Sequence, residues 1–369
     1  MKTTGKLLTI LLCLYVPAPA KGQADKGFQV LLTHENDVLA PSNRDENYTG
    51  GLKLELSAPS FKLKWQPFLK FSNEKAAIQR FSLGGTAYTP QDLAKSMIVS
   101  RDRPYASLTY LGLGRDSYSG EMQQHFSSEL LIGGIGLPGP GNFQSYLHRI
   151  HFLGSTRPVP QGWRNQVGYN GSLVINYRTK FEKLLYHSHQ SLNDELPELL
   201  PDYETSGSGA YIKNFEFFQC YWNVAAELGN YMSNLQAGLA LNLLNINNAA
   251  TLNYEPGIPK VIGKTTPVSS IKKIRFNVFI NPSFRFVAFN ATLQGLMFND
   301  KSIYTIPAKQ VQRILFELHA GANLLLFDRI YLRYAFSLRT KEFRYGKPVH
   351  NWGGITIGYS PVRWHRVRL

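Results

Sequence analysis

The sequence predicts an all-β protein, an antiparallel transmembrane β-barrel of about twelve strands with a short helix in an outer loop. Apolar and polar residues alternate through many separate segments, and aromatic residues are abundant, with 20 Tyr and 22 Phe among 369 residues. This alternation is expected where successive side chains face lipid and lumen in turn. After the amino terminus, no segment is long and apolar enough for a transmembrane helix, so a membrane protein with this sequence must be a closed barrel.

The amino terminus has the order of a secretory signal peptide. Two lysines precede an apolar run from Leu7 to Val16, and an Ala-Pro-Ala tripeptide follows. We therefore predict a signal peptide over residues 1–20 and a single barrel domain over residues 21–369. Cys13 lies in the signal peptide, which leaves Cys220 as the only cysteine of the mature chain, so we expect no internal disulfide.

The net charge of +15 indicates a polyanionic partner. Lipopolysaccharide phosphates and nucleic acid both satisfy this condition, and the signal peptide favours the first. The sequence therefore predicts a monomer in the bacterial outer membrane, in contact with lipopolysaccharide and not with nucleic acid.

Period-2 patterns and turn residues divide the chain into twelve strands, an even number that places both termini on the periplasmic side. The predicted strands are Phe28–Thr33, Tyr48–Ser57, Ile78–Tyr88, Ala106–Gly114, Gln124–Gly133, Ser172–Thr179, Phe215–Leu228, Leu235–Leu244, Ile274–Phe289, Val311–Phe327, Ile330–Phe343 and Trp352–Tyr359. Two long segments, Leu184–Tyr211 and Ile246–Lys272, then fall on the periplasmic side, where turns are usually short.

The same count places three segments on the outer face: Glu35–Asn47, Thr89–Tyr105 and Ile135–Gly168. In the third, apolar residues recur at helical spacing over Asn142–Phe152, which predicts a short helix after Pro140 and Gly141. Chemistry on a lipid of the outer leaflet would be built from these segments.

Three stretches of the outer segments carry groups that can activate water or bind a cation. They are His34-Glu35-Asn36-Asp37, Tyr48-Thr49-Gly50-Gly51, and the pair Gln144 and His148, which are four residues apart and so share a helix face. Each stretch also has a purely structural interpretation: a turn, a β-forming pair beside closely packed glycines, and a solvated helix face. They gain meaning together, because the topology gathers them at one rim.

Several longer strings carry a resemblance to a known family. They are Glu35-Asn36-Asp37, Asn47-Tyr48-Thr49-Gly50-Gly51, Ala87-Tyr88-Thr89-Pro90, Asp102-Arg103-Pro104-Tyr105-Ala106-Ser107, Gln144-Ser145-Tyr146-Leu147-His148-Arg149 and Gly162-Trp163-Arg164-Asn165-Gln166. In this order they resemble the lipid A 3'-O-deacylases of the outer membrane, over about residues 28–359.

The resemblance implies a twelve-stranded barrel that removes the 3'-linked acyl chains of lipid A by calcium-dependent hydrolysis at its outer-leaflet end. It implies that His148 is the general base and that Asp37, with Asn36 beside it, is associated with Ca²⁺. Thr49 and Gln144 would complete the site. The sequence contains no Gly-x-Ser-x-Gly string, which agrees with direct attack by water.

Some features of the family do not transfer to a single residue. Basic residues of the second outer loop meet lipid A phosphate in the family, and Lys95, Arg101 and Arg103 are the candidates here, although the string that contains Arg103 favours a structural role. The acid that the family carries shortly after the helical histidine has no counterpart between Arg149 and Gly154. Two alternatives stay open: an esterase acting on phospholipid or another glycolipid, and a non-catalytic lipid-binding barrel, which would have no need for the full set of polar residues.

Overall fold

The computed structural model of the chain describes residues 28–40, 47–58, 68–74, 76–119, 124–151, 157–188, 215–246, 274–298, 302–327 and 329–360. The predicted signal peptide lies outside these residues. So do most of the two long segments that the sequence places on the periplasmic side.

The described residues form twelve strands, and each pairs antiparallel with its neighbours in the chain. The twelfth pairs with the first, which closes the barrel. The strands are β1 Gln29–Asn36, β2 Asn47–Ala58, β3 Ala76–Thr89, β4 Ala106–Tyr118, β5 Gln124–Ile135, β6 Ser172–His187, β7 Phe215–Gly229, β8 Met232–Ile246, β9 Ile274–Asn290, β10 Ile314–Leu326, β11 Ile330–Thr340 and β12 Val349–Tyr359. The predicted fold class and strand number are confirmed.

Within the described parts of the connections there are two helices, α1 at Pro138–Arg149 and α2 at Ala291–Gln294. Single 3-10 turns occur at Asp37–Leu39, Trp163–Asn165 and Ala308–Gln310. Among the described residues, no helix has the length and apolar character needed to cross a membrane. We call the end of the barrel where β1 is followed by β2 the outer end. The start of β1 and the end of β12 lie at the opposite end.

Among the element boundaries that differ from the sequence prediction, two bear on the candidate site. β1 continues three residues past Thr33, because Glu35 and Asn36 pair with β2 on one side and with β12 on the other. Helix α1 begins at Pro138 and not at Asn142, since proline is favoured in the first turn, where its missing N–H costs nothing.

Alternation along the strands separates a lipid-facing surface from a polar lumen. On β3, Phe81 and Leu83 are exposed on the outside of the wall, while Ser82 between them is buried and donates a hydrogen bond to Glu129 inside. The lumen contains ion pairs, among them Glu317 with Arg285 at 2.8 Å and with Arg339 at 2.5 Å. Such pairing is needed because charges buried without partners are costly.

An aromatic cluster fills the lumen toward the outer end. Tyr48 packs edge-on against Tyr88 and Trp352, with ring centroids 5.3 and 5.2 Å apart, and the hydroxyls of Tyr88 and Tyr231 lie 3.3 Å apart. Beside this cluster, a lumenal cavity of about 290 Å³ is lined by charged side chains that include Lys53. The lumen is therefore packed with side chains near the rim that carries the candidate site.

Candidate active site

The first part of the candidate site lies where β1 ends. Asn36 caps the 3-10 turn, and its Oδ1 accepts a hydrogen bond from the backbone N–H of Val38 at 2.8 Å. Asp37, the first residue of that turn, is fully buried. Glycines allow the strands to close around it: a Cβ added at Gly50 would lie 2.6 Å from the Glu35 carbonyl, and one at Gly353 would lie 2.4 Å from the Leu39 carbonyl.

A β-bulge places Thr49 beside this turn. The β2–β3 register passes from Tyr48 opposite Tyr88 to Gly50 opposite Ala87, which leaves Thr49 as the extra residue. Bulges re-aim a side chain and occur often next to active sites. Here Thr49 Oγ1 lies 2.6 Å from Thr89 Oγ1, and both residues are buried.

This threonine pair lies on the outside of the barrel wall. Thr89 is an even number of residues from Phe81 and Leu83 along β3, so it shares their lipid-side face. In β1, Asn36 shares a face with the exposed Leu32 for the same reason. The polar groups contributed by β1, β2 and β3 therefore line the exterior of the wall and not the lumen.

Helix α1 packs onto the outer ends of β3 and β4. A Cβ added at Gly85 would lie 3.4 Å from Pro140 Cγ, and one added at Gly141 would lie 2.6 Å from the Trp163 ring, so small residues allow the close approach. The buried face of the helix consists of Gly141, Gln144, Ser145 and His148. The sequence expectation that Gln144 and His148 share one face is confirmed.

The imidazole of His148 has a defined tautomer. Its Nδ1 lies 2.9 Å from the backbone oxygen of Pro158. A carbonyl only accepts hydrogen bonds, so Nδ1 carries the hydrogen, and in the neutral ring the lone pair resides on Nε2. In this tautomer, Nε2 is the acceptor nitrogen of the ring.

The loop that carries α1 is fixed to β4 by buried polar contacts. Ser107 Oγ donates to the Leu137 carbonyl at 2.8 Å and lies 2.7 Å from Gln166 Oε1. Gln166 Nε2 donates in turn to the Gly136 carbonyl at 3.1 Å, and the N–H of Val167 donates to the Tyr105 carbonyl at 2.8 Å. Residues of two quoted strings thus hold the helix in place.

With this geometry established, comparison with known proteins identifies the family. The family model of the outer membrane protein LpxR matches residues 7–360. The chain belongs to the LpxR family. It is an outer-membrane protein, and its family membership supports the function of a lipid A deacylase. No protein of curated function matches the sequence.

One solved structure supports the barrel fold of this LpxR-family chain. LpxR from Salmonella typhimurium superposes with a TM-score of 0.63 at 18% sequence identity, over 90% of this chain and 99% of that one. The β-domain of the Bordetella autotransporter BrkA gives a TM-score of 0.40 at 10% identity, over 91% and 98% of the two chains. At 18% identity, the likeness to the Salmonella protein establishes the fold alone.

In this LpxR-family barrel, Arg103 is a structural residue and not an accessible phosphate ligand. Its side chain is fully buried, where it pairs with Glu342, donates to Thr292 Oγ1 at 2.6 Å and lies 4.4 Å from the centroid of the Tyr88 ring. It joins the second outer loop to two later ones. Although burial raises the pKa of Glu342, the guanidiniums of Arg103 and Arg339 lower it further, to about 2.

The other two basic candidates lie at the surface. Lys95 is exposed and forms an ion pair with Asp92 at 3.2 Å. Arg101 is exposed with a φ of 63°, and its guanidinium lies 5.5 Å from the centroid of the Tyr345 ring, over which Arg344 also lies at 5.8 Å. The geometry leaves both residues available to an anionic headgroup.

The donor set fits a calcium ion better than a transition metal. Over the described ranges, no three His, Cys, Asp or Glu side chains gather as a metal cluster. The β1 rim instead offers the buried carboxylate of Asp37 and the neutral oxygens of Asn36 and Thr49. Calcium takes carboxylate, carbonyl, hydroxyl and water oxygens, so these residues fit the ion that the family implies.

The structure brings all five predicted site residues to the outer end, across adjacent strands. Asn36, Asp37 and Thr49 lie at the β1–β2 rim, and Gln144 and His148 lie on the helix that packs against β3 and β4. Sequence reasoning missed Thr89, although it lies in a quoted string. It also missed the Pro158 carbonyl, which no residue-type pattern could have indicated, because any residue has one.

Proposed function

We propose that this chain is an outer-membrane carboxylic ester hydrolase that removes the 3'-linked acyl chains of lipid A, with His148 as the general base. The observation that carries the proposal is the hydrogen bond from His148 Nδ1 to the Pro158 carbonyl. It leaves Nε2 as the basic nitrogen, on the helix face that packs against the outer ends of β3 and β4. Family membership supplies the substrate class.

The reaction begins with a water molecule beside His148. Nε2 accepts a proton from this water as its oxygen bonds to the ester carbonyl carbon, and the carbonyl oxygen becomes an oxyanion. When the tetrahedral intermediate collapses, the bond to the sugar oxygen breaks, and the proton on Nε2 passes to that oxygen. The products are a fatty acid and a free 3'-hydroxyl, and His148 is neutral again.

The remaining polar residues would hold the calcium ion and orient the water and the ester. Asp37, with the oxygens of Asn36 and Thr49, would hold a calcium ion, which supplies positive charge where the oxyanion develops. Thr89 fixes the Thr49 hydroxyl at 2.6 Å, so that this oxygen is presented on the outside of the wall. Gln144 is buried on the same helix face as His148 and can orient the water or the ester through its amide.

The position of these groups suits an ester of the outer leaflet. The ester of an acylated sugar lies between headgroup and acyl chains, and the polar groups lie on the lipid side of the wall at its outer end. The serine on the same helix face, Ser145, is not required in this scheme, since water attacks directly.

Mass spectrometry of lipid A from cells that express the chain tests the proposal. We expect loss of the 3'-linked acyl chains with the wild type and intact lipid A with the His148→Ala variant. Unchanged lipid A in both strains would reject the enzymatic function and favour a binding barrel. Fatty acid released from phospholipid, with lipid A intact, would favour the alternative esterase.

A further inference from the structure

Helix α1 has two opposite faces of different composition. The buried residues Gly141, Gln144, Ser145 and His148 follow the spacing of one helix face. The set Phe143, Tyr146, Leu147 and Ile150 has the same spacing two positions later, which on a helix of 3.6 residues per turn is a rotation of about 200°. The second set therefore points directly away from the barrel wall.

The distribution of polarity is the reverse of that on a surface helix in water. A soluble amphipathic helix buries its apolar face and exposes its polar one. Here the buried face carries Gln144 and His148, while Phe143, Tyr146 and Ile150 are 43%, 50% and 46% exposed. Apolar surface of this kind is stabilised by an apolar surrounding and not by water.

The location of the helix indicates what surrounds it. Gly85 of β3 lies against Pro140 of the helix and is on the same outward face of its strand as Leu83. Thr109 of β4 also lies beside the helix and is on the same outward face of its strand as Leu111. Leu83 and Leu111 are 52% and 64% exposed on the barrel exterior, where lipid lies against the wall of an outer-membrane protein. The helix sits on this surface, so its apolar face continues the lipid-facing band.

Polar residues beside the apolar face indicate how deeply the helix lies in the membrane. Asn142 and Arg149 are both exposed and lie seven residues apart, on the side of the helix between the buried and apolar faces. An interfacial helix keeps such residues toward water while its aromatic residues sit at the headgroup level. Phe143, with Tyr146 at the centre of the apolar face, fits that boundary.

We propose that α1 is an interfacial membrane helix, with its apolar face, formed by Phe143, Tyr146, Leu147 and Ile150, immersed in the outer leaflet. Asn142 and Arg149 face the aqueous side. The immersion itself does not depend on the reaction proposed above; its benefit does, because it holds His148 at the boundary where an acyl ester lies.

Site-directed spin labelling tests the immersion without any assay of activity. In a background that carries both Cys13→Ser and Cys220→Ser, a nitroxide is attached at Tyr146→Cys, Asn142→Cys or Leu111→Cys, and each labelled protein is reconstituted into dioleoylphosphatidylcholine vesicles. The collision rates of each label with oxygen, which concentrates in lipid, and with a water-soluble nickel chelate are then measured.

We expect the label at position 146 to resemble the one at position 111 of the barrel wall, with a severalfold higher ratio of oxygen to nickel collisions than at position 142. Equal ratios at positions 146 and 142 would overturn the proposal. Dipolar broadening between labels at position 146 that grows with the protein-to-lipid ratio would overturn it as well, since a second copy of the chain would then cover the face. Either result leaves the His148 experiment to decide the hydrolase function separately.

Discussion

The imidazole Nδ1 of His148 lies 2.9 Å from the backbone carbonyl oxygen of Pro158. This contact accounts for the missing acid after the helical histidine, because a carbonyl can fix the tautomer as an acid would. It adds no negative charge to stabilise the imidazolium that forms during proton transfer. In the proposed reaction, the Pro158 contact would therefore support His148 through orientation and not through charge.

The first prediction concerns the two histidines of this region. His148→Ala should lower kcat about 10²- to 10⁴-fold, the usual contribution of a positioned general base. His151→Ala is the matched control, because His151 is exposed just beyond the end of the same helix and should leave kcat unchanged. Turnover of purified lipid A in micelles measures both, and equal losses in the two variants would contradict the role of His148.

The second prediction separates attack by water from attack by a serine. Ser145 shares the buried face of α1 with His148, so it is the serine best placed to act as a nucleophile. If water attacks directly, Ser145→Ala should retain kcat to within about twofold, whereas loss of a true nucleophile abolishes turnover. Detection of an acyl-enzyme on Ser145 by mass spectrometry would reject the direct mechanism.

The third prediction concerns calcium. A chelator should abolish activity in micelles, and added Ca²⁺ should restore it. The oxyanion needs a positive charge, and none of the side chains assigned to the proposed reaction is a cation that could supply it. Asp37→Asn should raise the Ca²⁺ concentration for half-maximal activity at least tenfold, the loss expected when a carboxylate ligand becomes neutral. The control is Asp92→Asn, which alters an exposed acid of the second outer loop. Full wild-type activity in excess chelator would exclude this role of calcium.

The fourth prediction concerns the buried ion pairs of Glu342. Glu342→Gln leaves Arg103 and Arg339 without their shared carboxylate, and breaking a buried pair in this way costs about 3–5 kcal/mol. Urea unfolding in micelles, followed by tryptophan fluorescence, measures the change in the free energy of unfolding. Asp92→Asn breaks only an exposed pair and should cost less than about 1 kcal/mol.

The same carboxylate predicts a pH dependence of stability. The pKa of Glu342 is lowered from 4.5 to about 2 in the folded protein, so its contribution is fully present above the unfolded value and is lost as the pH falls from about 4.5 toward 2. Wild-type stability should therefore decline over this window more steeply than that of Glu342→Gln. Parallel curves would show that Glu342 contributes nothing to the acid sensitivity.

The fifth prediction distinguishes the basic candidates. Arg101→Ala should raise KM severalfold for lipid A and leave kcat unchanged, because an exposed guanidinium assists binding and not chemistry. The effect should shrink at high salt and disappear with dephosphorylated lipid A. Lys95→Ala should have a smaller effect, because Lys95 is already paired with Asp92. A loss that persists with dephosphorylated substrate would point to a structural role for Arg101.

The strands were predictable because their signal is local. The alternation of Leu52, Leu54 and Leu56 with polar residues is visible in any short window, and β2 indeed spans them. The extension of β1 through Glu35 and Asn36 was not predictable, since it depends on pairing with β12, more than 300 residues away. The start of α1 was misplaced for another reason: the helix was predicted to begin after Pro140 and Gly141, whereas its first turn includes both Pro138 and Pro140.

The site was predictable in composition and only partly in arrangement. The pattern of Gln144 and His148 indicated one shared helix face, and the structure confirms it. The burial of Arg103 depends on Glu342 and Thr292, which are distant in sequence and come from two later loops. The pairing of Thr49 with Thr89 depends on a bulge; Gly50 and Gly51 are a possible signal of one, but they do not show which residue of β3 the bulged residue meets.

The exterior placement of Asn36, Thr49 and Thr89 has a kinetic consequence. A substrate that is already in the membrane can reach these groups by lateral diffusion, without crossing water or entering the barrel lumen. Turnover should then follow the mole fraction of substrate in the two-dimensional film. Diluting the substrate in the membrane with an inert amphiphile should therefore lower the rate, even when the bulk concentration of substrate is held constant.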